Sequence, residues 1–175
     1  MLQRVIETAQ AALPPVSVPG ATHPPASRLT VVLGAHAEAV RSGVMTRLAA
    51  PQPEVVLCSD WEHGMAHSLR CGLAALAASH AEAALMLLGD TPYITADDLQ
   101  RLIEAWRASP ESPAAATYDG TIGAPCILPR AVWPEVMTLT GDRGAGAWLR
   151  ARHARGIAIT GVPVVDAAYD IDTQG

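Results

Sequence analysis

Short apolar runs alternate along the chain with stretches whose apolar residues recur at helical spacing. Near the N-terminus, one helical face collects Leu2, Val5, Ile6 and Ala9. Residues 14–28 are rich in Pro with Ser and Gly, and this composition predicts an irregular loop. The continuous apolar run Leu29–Leu33 then predicts a buried strand that ends at Gly34.

The same alternation continues through the rest of the chain. Thr95, with Asp98 three residues further on, has the pattern of a helix N-cap with an acidic partner. The other predicted helices cover residues 37–48, 65–76, 132–139 and 145–153, and the other predicted strands cover 55–58, 84–88, 114–118, 122–128 and 157–163. Asp119-Gly120 has the pattern of a turn that could join the strands 114–118 and 122–128 as a hairpin. Strands that alternate with helices favour an α/β domain with a mostly parallel sheet and helices on both faces.

Composition narrows the class of protein. A chain of 175 residues with 50% hydrophobic content suits one domain over 1–175 with a sizeable core. The apolar runs fall far short of the ~20 residues of a membrane-spanning helix, and Met1–Glu7 lacks the pattern of a signal peptide, so we expect no membrane partner and a cytoplasmic location. A formal net charge of −5 argues against a nucleic-acid groove.

The cationic and thiol residues carry weaker information. All 12 cationic residues are Arg, so the chain has no Lys to act as a point charge on a phosphate. Cys58, Cys71 and Cys126 are scattered, which predicts ordinary reduced thiols in or near the core. His63 and His67 have the i, i+4 spacing of a metal pair, but Gly64 interrupts the helix that such a zinc site requires.

Candidate functional residues follow the predicted strands, at Gly34, Asp60 and Asp90. In open α/β sheets, ligands bind outside the carboxyl ends of the strands. Asp90 follows an apolar strand and precedes Pro92, which fixes the turn into the next helix. A carboxylate in this place suits Mg²⁺, which is held by one or two carboxylates together with substrate phosphates. The alternative is an Asp that only shapes the turn by bonding its own backbone.

Three other segments are candidates, each with a structural alternative. The acidic pair Asp170 and Asp172 could supply a second metal ligand or form a solvated tail. Ser68 and its neighbours lie at a helix start, which favours an anion, although a simple cap without a ligand fits equally well. Arg143 stands at another helix start within a glycine-rich turn, where it could bind an acceptor phosphate or belong to a plain loop.

Taken together, these segments resemble the MobA-like NTP transferase family, and are most similar to its molybdenum cofactor cytidylyltransferase branch. The segments that carry the resemblance, in chain order, are Val31–Ala35, Asp60-Trp61, Gly64-Met65, Ser68–Arg70, Gly89–Pro92, Gly141–Ala145 and Asp170–Thr173. The resemblance implies a three-layer Rossmann-like nucleotidyltransferase fold. It also implies transfer of a nucleoside monophosphate from an NTP to a phosphorylated acceptor, with release of pyrophosphate.

The resemblance also assigns roles to residues. Asp90 and Asp172 would be the catalytic carboxylates that hold Mg²⁺, and Asp142 and Arg143 would lie toward the acceptor. The residues expected to contact the nucleotide are Gly34, Asp60, Gly64, Met65 and Ser68. The donor would be CTP, with GTP as the other candidate, and the acceptor a molybdopterin-type compound. A molybdoenzyme or its chaperone is the expected protein partner.

The chain also departs from the family pattern. The family begins with a strand and a loop that reads Leu-Ala-Ala-Gly, followed by a Lys, whereas Met1–Glu7 already matches the helix behind that loop. We therefore expect the first strand and loop to be missing, and the chain to be short at its C-terminus. Ala124 replaces the His that this branch commonly carries. The alternative function is a catalytically impaired paralogue that binds a nucleotide, a pterin or a partner protein.

Overall fold

The fold is taken from a computed structural model, which describes residues 1–13, 28–49 and 51–169. Most of the predicted loop over 14–28, together with Asp170 and Asp172, lies outside these ranges. The helices are α1 Leu2–Ala12, α2 Ala37–Val44, α3 Met65–Ala77, α4 Ala96–Ala108, α5 Trp133–Val136 and α6 Ala145–Ala154. The strands are β1 Thr30–Leu33, β2 Glu54–Leu57, β3 Ala83–Met86, β4 Ala114–Tyr118, β5 Thr121–Pro129 and β6 Thr160–Pro163.

The strands form two sheets, one with the order β1-β2 and one with the order β3-β5-β4-β6. β1 pairs with β2 and β4 with β6 in parallel, whereas β5 is antiparallel to both of its neighbours. Asp119 and Gly120 both have positive φ, as a two-residue hairpin turn requires, and they reverse the chain between β4 and β5. The predicted α/β class is confirmed, with pairing that is more mixed than the sequence suggested because of this hairpin.

Helices on opposite faces connect the two sheets. On one face, Ile6 of α1 packs with Val31 and Leu33 of β1, while Ala12 at the other end of the same helix packs into the core around α4. Val32 points to the opposite face, since side chains alternate along a strand, and there it meets Gly72 of α3. Within the described residues, no ladder of backbone hydrogen bonds joins β1 to β3. The three-layer arrangement therefore depends on side-chain packing at this point.

The predicted N-cap of α4 is confirmed. The Thr95 hydroxyl accepts a hydrogen bond from the Asp98 amide at 3.2 Å, and the Thr95 amide donates to Asp98 Oδ2 at 2.9 Å. Burial alone would raise the pKa of the Asp98 carboxyl, but the bonds from Thr95 and the guanidinium of Arg101 outweigh it and hold the pKa below its usual 3.8. This reciprocal cap fixes the start of the helix that follows the Asp90 segment.

Several predicted elements are shorter than expected. α2 ends at Val44 rather than at Leu48, and β3 ends at Met86 rather than at Leu88. The helix predicted over 132–139 is regular only in α5, and the turns that follow tighten, with the Thr138 amide donating to the Glu135 carbonyl rather than to that of Pro134. β6 begins at Thr160 rather than at Ile157. None of the helices in the described ranges has both the length and the apolar character needed to cross a membrane.

Candidate functional site

Gly34 ends β1 at a close contact with Trp61. A Cβ atom on Gly34 would lie 2.6 Å from the Cβ of Trp61, so a residue with a side chain would displace the indole. Trp61 opens a 3-10 turn that follows β2, and β1 and β2 are parallel. The carboxyl ends of these two strands therefore meet, as the sequence predicted, and place Gly34 beside Asp60.

Asp60 and Gly64 frame the segment between β2 and α3. Asp60 is exposed, and its Oδ1 accepts a hydrogen bond from Ser59 at 3.3 Å. Met65 opens α3 and is half exposed, whereas Ser68 in the same turn is partly buried. The amide of Ala66 already donates to the Gly141 carbonyl at 2.9 Å. This bond uses one of the donors that a helix N-terminus otherwise offers to an anion.

The glycine-rich turn before α6 lies directly against this segment. A Cβ atom on Gly64 would sit 2.7 Å from Asp142 Oδ1, and the Met65 thioether packs on Gly144. Further along α3, Arg70 donates to the Leu139 carbonyl at 3.2 Å. The structure therefore brings together two segments that are far apart in sequence, one predicted to contact the nucleotide and the other predicted to face the acceptor.

Asp90 follows β3 on an exposed turn. The Thr91 hydroxyl donates to the Leu88 carbonyl at 3.0 Å, and Thr91 itself is buried. This hydrogen bond stabilises the turn on its buried side. Gly89 approaches Leu2 of α1, to which a Cβ atom would come within 3.2 Å. In the described part of the chain, no hydrogen bond or ion pair occupies the Asp90 carboxylate, and no three His, Cys, Asp or Glu side chains cluster as metal ligands. Asp172, its predicted partner, lies outside the described residues.

A cleft of about 580 Å³ opens between the β4–β5 hairpin and α6. Its lining consists of residues 117–122 with Arg150, His153 and Ala154. Arg150 donates to the Ile122 carbonyl at 3.4 Å, which ties the helix to the hairpin. Sequence reasoning missed these residues: the Asp-Gly turn indicated the hairpin, but nothing in the pattern indicated that α6 lies against it. None of the predicted site residues lines this cleft.

Two of the three thiols are in contact. Cys58 follows β2 and Cys71 lies on α3, and their Sγ atoms are 2.6 Å apart although the residues are 13 positions apart. All three cysteines are free and lie in or near the core, as the sequence predicted, but their scattered spacing gave no sign that the packing of α3 against β2 brings Cys58 and Cys71 together. Cys126 stands apart as a fully buried residue of β5. His63 and His67 have ring centroids 5.2 Å apart.

Comparison with known proteins identifies the family. The profile of the MobA-like NTP transferase domain matches residues 1–156, and the chain belongs to this family. The chain is also 29% identical over 117 residues to the purine catabolism protein PucB of Bacillus subtilis, a match that covers 67% of this chain. It covers 56% of PucB, so the chain spans little more than half the length of this relative.

Solved structures confirm the nucleotidyltransferase fold. Rv0371c of Mycobacterium tuberculosis is similar with a TM-score of 0.68 and 26% identity, over 94% of this chain and 73% of that one. A second structure of Rv0371c, in complex with manganese, gives a TM-score of 0.66 at 25% identity, over 94% and 76% of the two chains. The CMP:2-keto-3-deoxy-manno-octonic acid synthetase, complexed with CTP, shares the fold at a TM-score of 0.65 and 14% identity, over 98% and 82%.

Proposed function

We propose that this chain is the NTP-binding domain of a nucleotidyltransferase. It transfers a nucleoside monophosphate from an NTP, with CTP favoured over GTP, to a phosphorylated acceptor and releases pyrophosphate. The observation that carries the proposal is the contact of Gly64 with Gly141 and Asp142. This contact joins two segments into one continuous surface. The resemblance to the family assigns one of these segments to the nucleotide and the other to the acceptor. Membership of the family supports the same reaction class.

The reaction needs positioning and charge neutralisation more than covalent chemistry. An oxygen of the acceptor phosphate attacks the α-phosphorus of the NTP, the bond from that phosphorus to the bridging oxygen breaks, and pyrophosphate leaves with the bond's electrons. The protein must hold the two phosphates in line and offset their charge. Arg accounts for all 12 Lys and Arg residues of this sequence, so a charged side chain that this segment contributes to the phosphates would be a guanidinium.

In this proposal, the nucleotide lies along the carboxyl ends of β1 and β2. The backbone of Gly34 would contact the nucleotide where β1 ends, while the space that a side chain at this position would need is taken by Trp61 of the Asp60 turn. Gly64, Met65 and Ser68 continue the contact surface to the start of α3. The exposed side chains of Asp60 and Met65 are available to a ligand without any rearrangement of the core.

The acceptor is proposed to lie on the other side of Gly64, against Asp142 and Arg143. Both side chains are exposed, and Arg143 offers a cation to a phosphate one residue before the cap of α6. We propose a molybdopterin-type acceptor because the matched segments of the chain, taken together, resemble the cytidylyltransferase branch. A molybdoenzyme or its chaperone would then receive the product.

A divalent cation fits the Asp90 turn. The carboxylate is exposed and carries no ion pair within the described residues, so both of its oxygens are available as hard ligands. We propose that Asp90 and Asp172 hold Mg²⁺, which would neutralise charge on the phosphates when bound. The manganese in the Rv0371c structure supports a divalent cation in this family. In this proposal, Asp90 and Asp172 position the cation next to the phosphates of the reactants.

Calorimetric titration with CTP and GTP, with and without Mg²⁺, tests nucleotide and metal binding together. We expect CTP to bind more strongly than GTP, and Mg²⁺ to strengthen CTP binding in the wild type but not in Asp90→Asn. Glu104→Gln is the matched control, because it removes one exposed carboxylate from α4 and should keep the metal dependence. Equal metal dependence in wild type and Asp90→Asn would refute the metal role.

Release of pyrophosphate separates the enzyme from the non-catalytic alternative. The reaction is followed with CTP and molybdopterin, and the expected result is pyrophosphate release that requires both the acceptor and Mg²⁺. CTP binding without pyrophosphate release would identify a nucleotide-binding paralogue. Arg143→Met should raise the acceptor concentration needed for half-maximal pyrophosphate release and leave CTP binding unchanged. Loss of CTP binding in this variant would contradict the placement of Arg143 at the acceptor.

A further inference from the structure

We propose that Cys58 and Cys71 are a redox modification site, at which an intramolecular disulfide closes the base of the segment 59–70. The two sulfur atoms are 2.6 Å apart, only about half an ångström beyond the ~2.04 Å of a disulfide bond. The fold therefore already brings the two sulfur atoms close to bonding distance.

The ring that this bond closes coincides with the candidate nucleotide segment. Asp60, Gly64, Met65 and Ser68 all lie between the two cysteines. Cys58 is anchored by burial at the end of β2, and Cys71 by its position in the second turn of α3. A covalent link between these anchors would limit the conformations of the intervening segment. Its relevance to nucleotide binding rests on the proposed function, whereas the thiol chemistry itself does not.

The oxidant is a low-molecular-weight disulfide. Cys71 is partly exposed and Cys58 is buried, so the thiolate of Cys71 attacks one sulfur of the oxidant first. That step forms a mixed disulfide and releases one thiol, which takes up the proton lost by Cys71. Cys58 then gives its proton to solvent and attacks the Cys71 sulfur, and the second thiol leaves and is protonated. The protein loses two hydrogens and the oxidant gains them.

Cys126 provides an internal contrast. It is fully buried in β5, and burial raises the pKa of its thiol to about 12. Burial and the neighbouring Cys58 also raise the pKa of Cys71, to about 11, so exchange at neutral pH proceeds through a small thiolate fraction. Only Cys71 combines partial exposure with a second thiol in contact.

The full chain is incubated with glutathione disulfide at pH 8.5, then unfolded, alkylated with iodoacetamide and mapped by mass spectrometry. We expect alkylation to fall from three sites to one, at Cys126, with a linked peptide that joins Cys58 to Cys71. The melting temperature should rise by about 6–12 °C, because the bond restricts the unfolded chain, and dithiothreitol should reverse the rise.

Two variants sharpen the result. Cys71→Ser should lose both the linked peptide and the shift in melting temperature, whereas Cys126→Ala should keep both. Three alkylated sites in the treated wild type, a persistent glutathione adduct without a linked peptide, or a link to Cys126 would each overturn the proposal. A Cys58–Cys71 link that fails to raise the melting temperature would overturn it too, because the bond would then not fit the folded segment.

Discussion

Gly64 lies against the backbone of Gly141, where the turn after β2 meets the turn before α6. A Cβ atom at position 64 would overlap the Gly141 carbonyl group and sit 2.7 Å from Asp142 Oδ1. Gly64 also has a φ of 102° and a ψ of 175°, a region that is essentially restricted to glycine. Both its backbone conformation and its surroundings therefore require glycine.

Gly64→Ala should consequently lose about 1–3 kcal/mol of the free energy of unfolding, from backbone strain alone. Urea unfolding followed by circular dichroism measures the loss. Gly43→Ala is the control, because Gly43 lies in α2, where a Cβ would have no atom within 4 Å, and the variant should gain up to about 1 kcal/mol. If Gly64→Ala unfolded at the wild-type urea concentration, the close contact would be wrong.

The cap of α4 predicts a pH-dependent contribution to stability. The pKa of Asp98 is lowered in the folded state, so its contribution is present above the unfolded-state value near 3.8 and is lost as the pH falls through the lower folded-state value. Asp98→Asn should therefore be less stable than the wild type at pH 7, and the difference should shrink below about pH 4. Unfolding in urea at a series of pH values measures it.

Thr95→Ala removes the other half of the cap. The substitution removes the hydroxyl that accepts from the Asp98 amide, at a cost of about 1 kcal/mol. Asp97→Asn is the control, since Asp97 lies in the same first turn, is exposed and forms no part of the capping box. A pH dependence that is the same in Asp98→Asn as in the wild type would assign the effect to other carboxylates.

Arg130 secures the C-terminal end of α3 from a distance in sequence. Its guanidinium donates to the carbonyls of Ala77, Ser79 and Ala81 at 2.7, 2.9 and 3.1 Å, and lies 5.1 Å from the centroid of the Trp133 ring. Carbonyls at the end of a helix lack partners within the helix, so these bonds satisfy groups that would otherwise depend on water.

Arg130→Met should therefore lower the free energy of unfolding by about 1–2 kcal/mol, a range reduced because the side chain is exposed. Arg130→Lys keeps the charge but lacks the planar guanidinium that donates to several carbonyls at once, so its free energy of unfolding should lie between those of the wild type and Arg130→Met. Arg107→Met is the control, because Arg107 is an exposed cation in the last turn of α4. If Arg107→Met and Arg130→Met lost the same free energy of unfolding, the effect of Arg130 would come from its positive charge and not from its hydrogen bonds. Thermal unfolding compares the three variants.

The sequence predicted the elements well where local chemistry decides them. The apolar run before Gly34 identified β1, the Thr95–Asp98 pair identified the start of α4, and the Asp-Gly turn identified the hairpin. α5 was overestimated, since the apolar spacing of 132–139 does not distinguish an α-helix from the tighter turns that follow Val136. These outcomes depend on residues within a few positions of one another.

Contacts between distant segments could not be read from the sequence in the same way. The pairing of Cys58 with Cys71 depends on how α3 rotates and slides on β2, and the cleft beside Arg150 depends on where α6 crosses the hairpin. The contact of Gly64 with Asp142 was not predicted either, since the resemblance to a family assigned Gly64 to the nucleotide and Asp142 to the acceptor. The roles of Asp90 and Asp172 stay predictions.

The separation of the β1-β2 sheet from the other four strands has a consequence for how the molecule opens. In the described part of the chain, the two sheets are joined by side-chain packing through α1 and α3. They can therefore separate without breaking backbone hydrogen bonds between strands. The amides of Val31 and Leu33 should therefore exchange with deuterium sooner than those of Ala115 and Cys126, at a free energy below that of global unfolding. The strand that positions Gly34 would then belong to a separate cooperative unit from the strand that positions Asp90, and each could respond to a ligand on its own timescale.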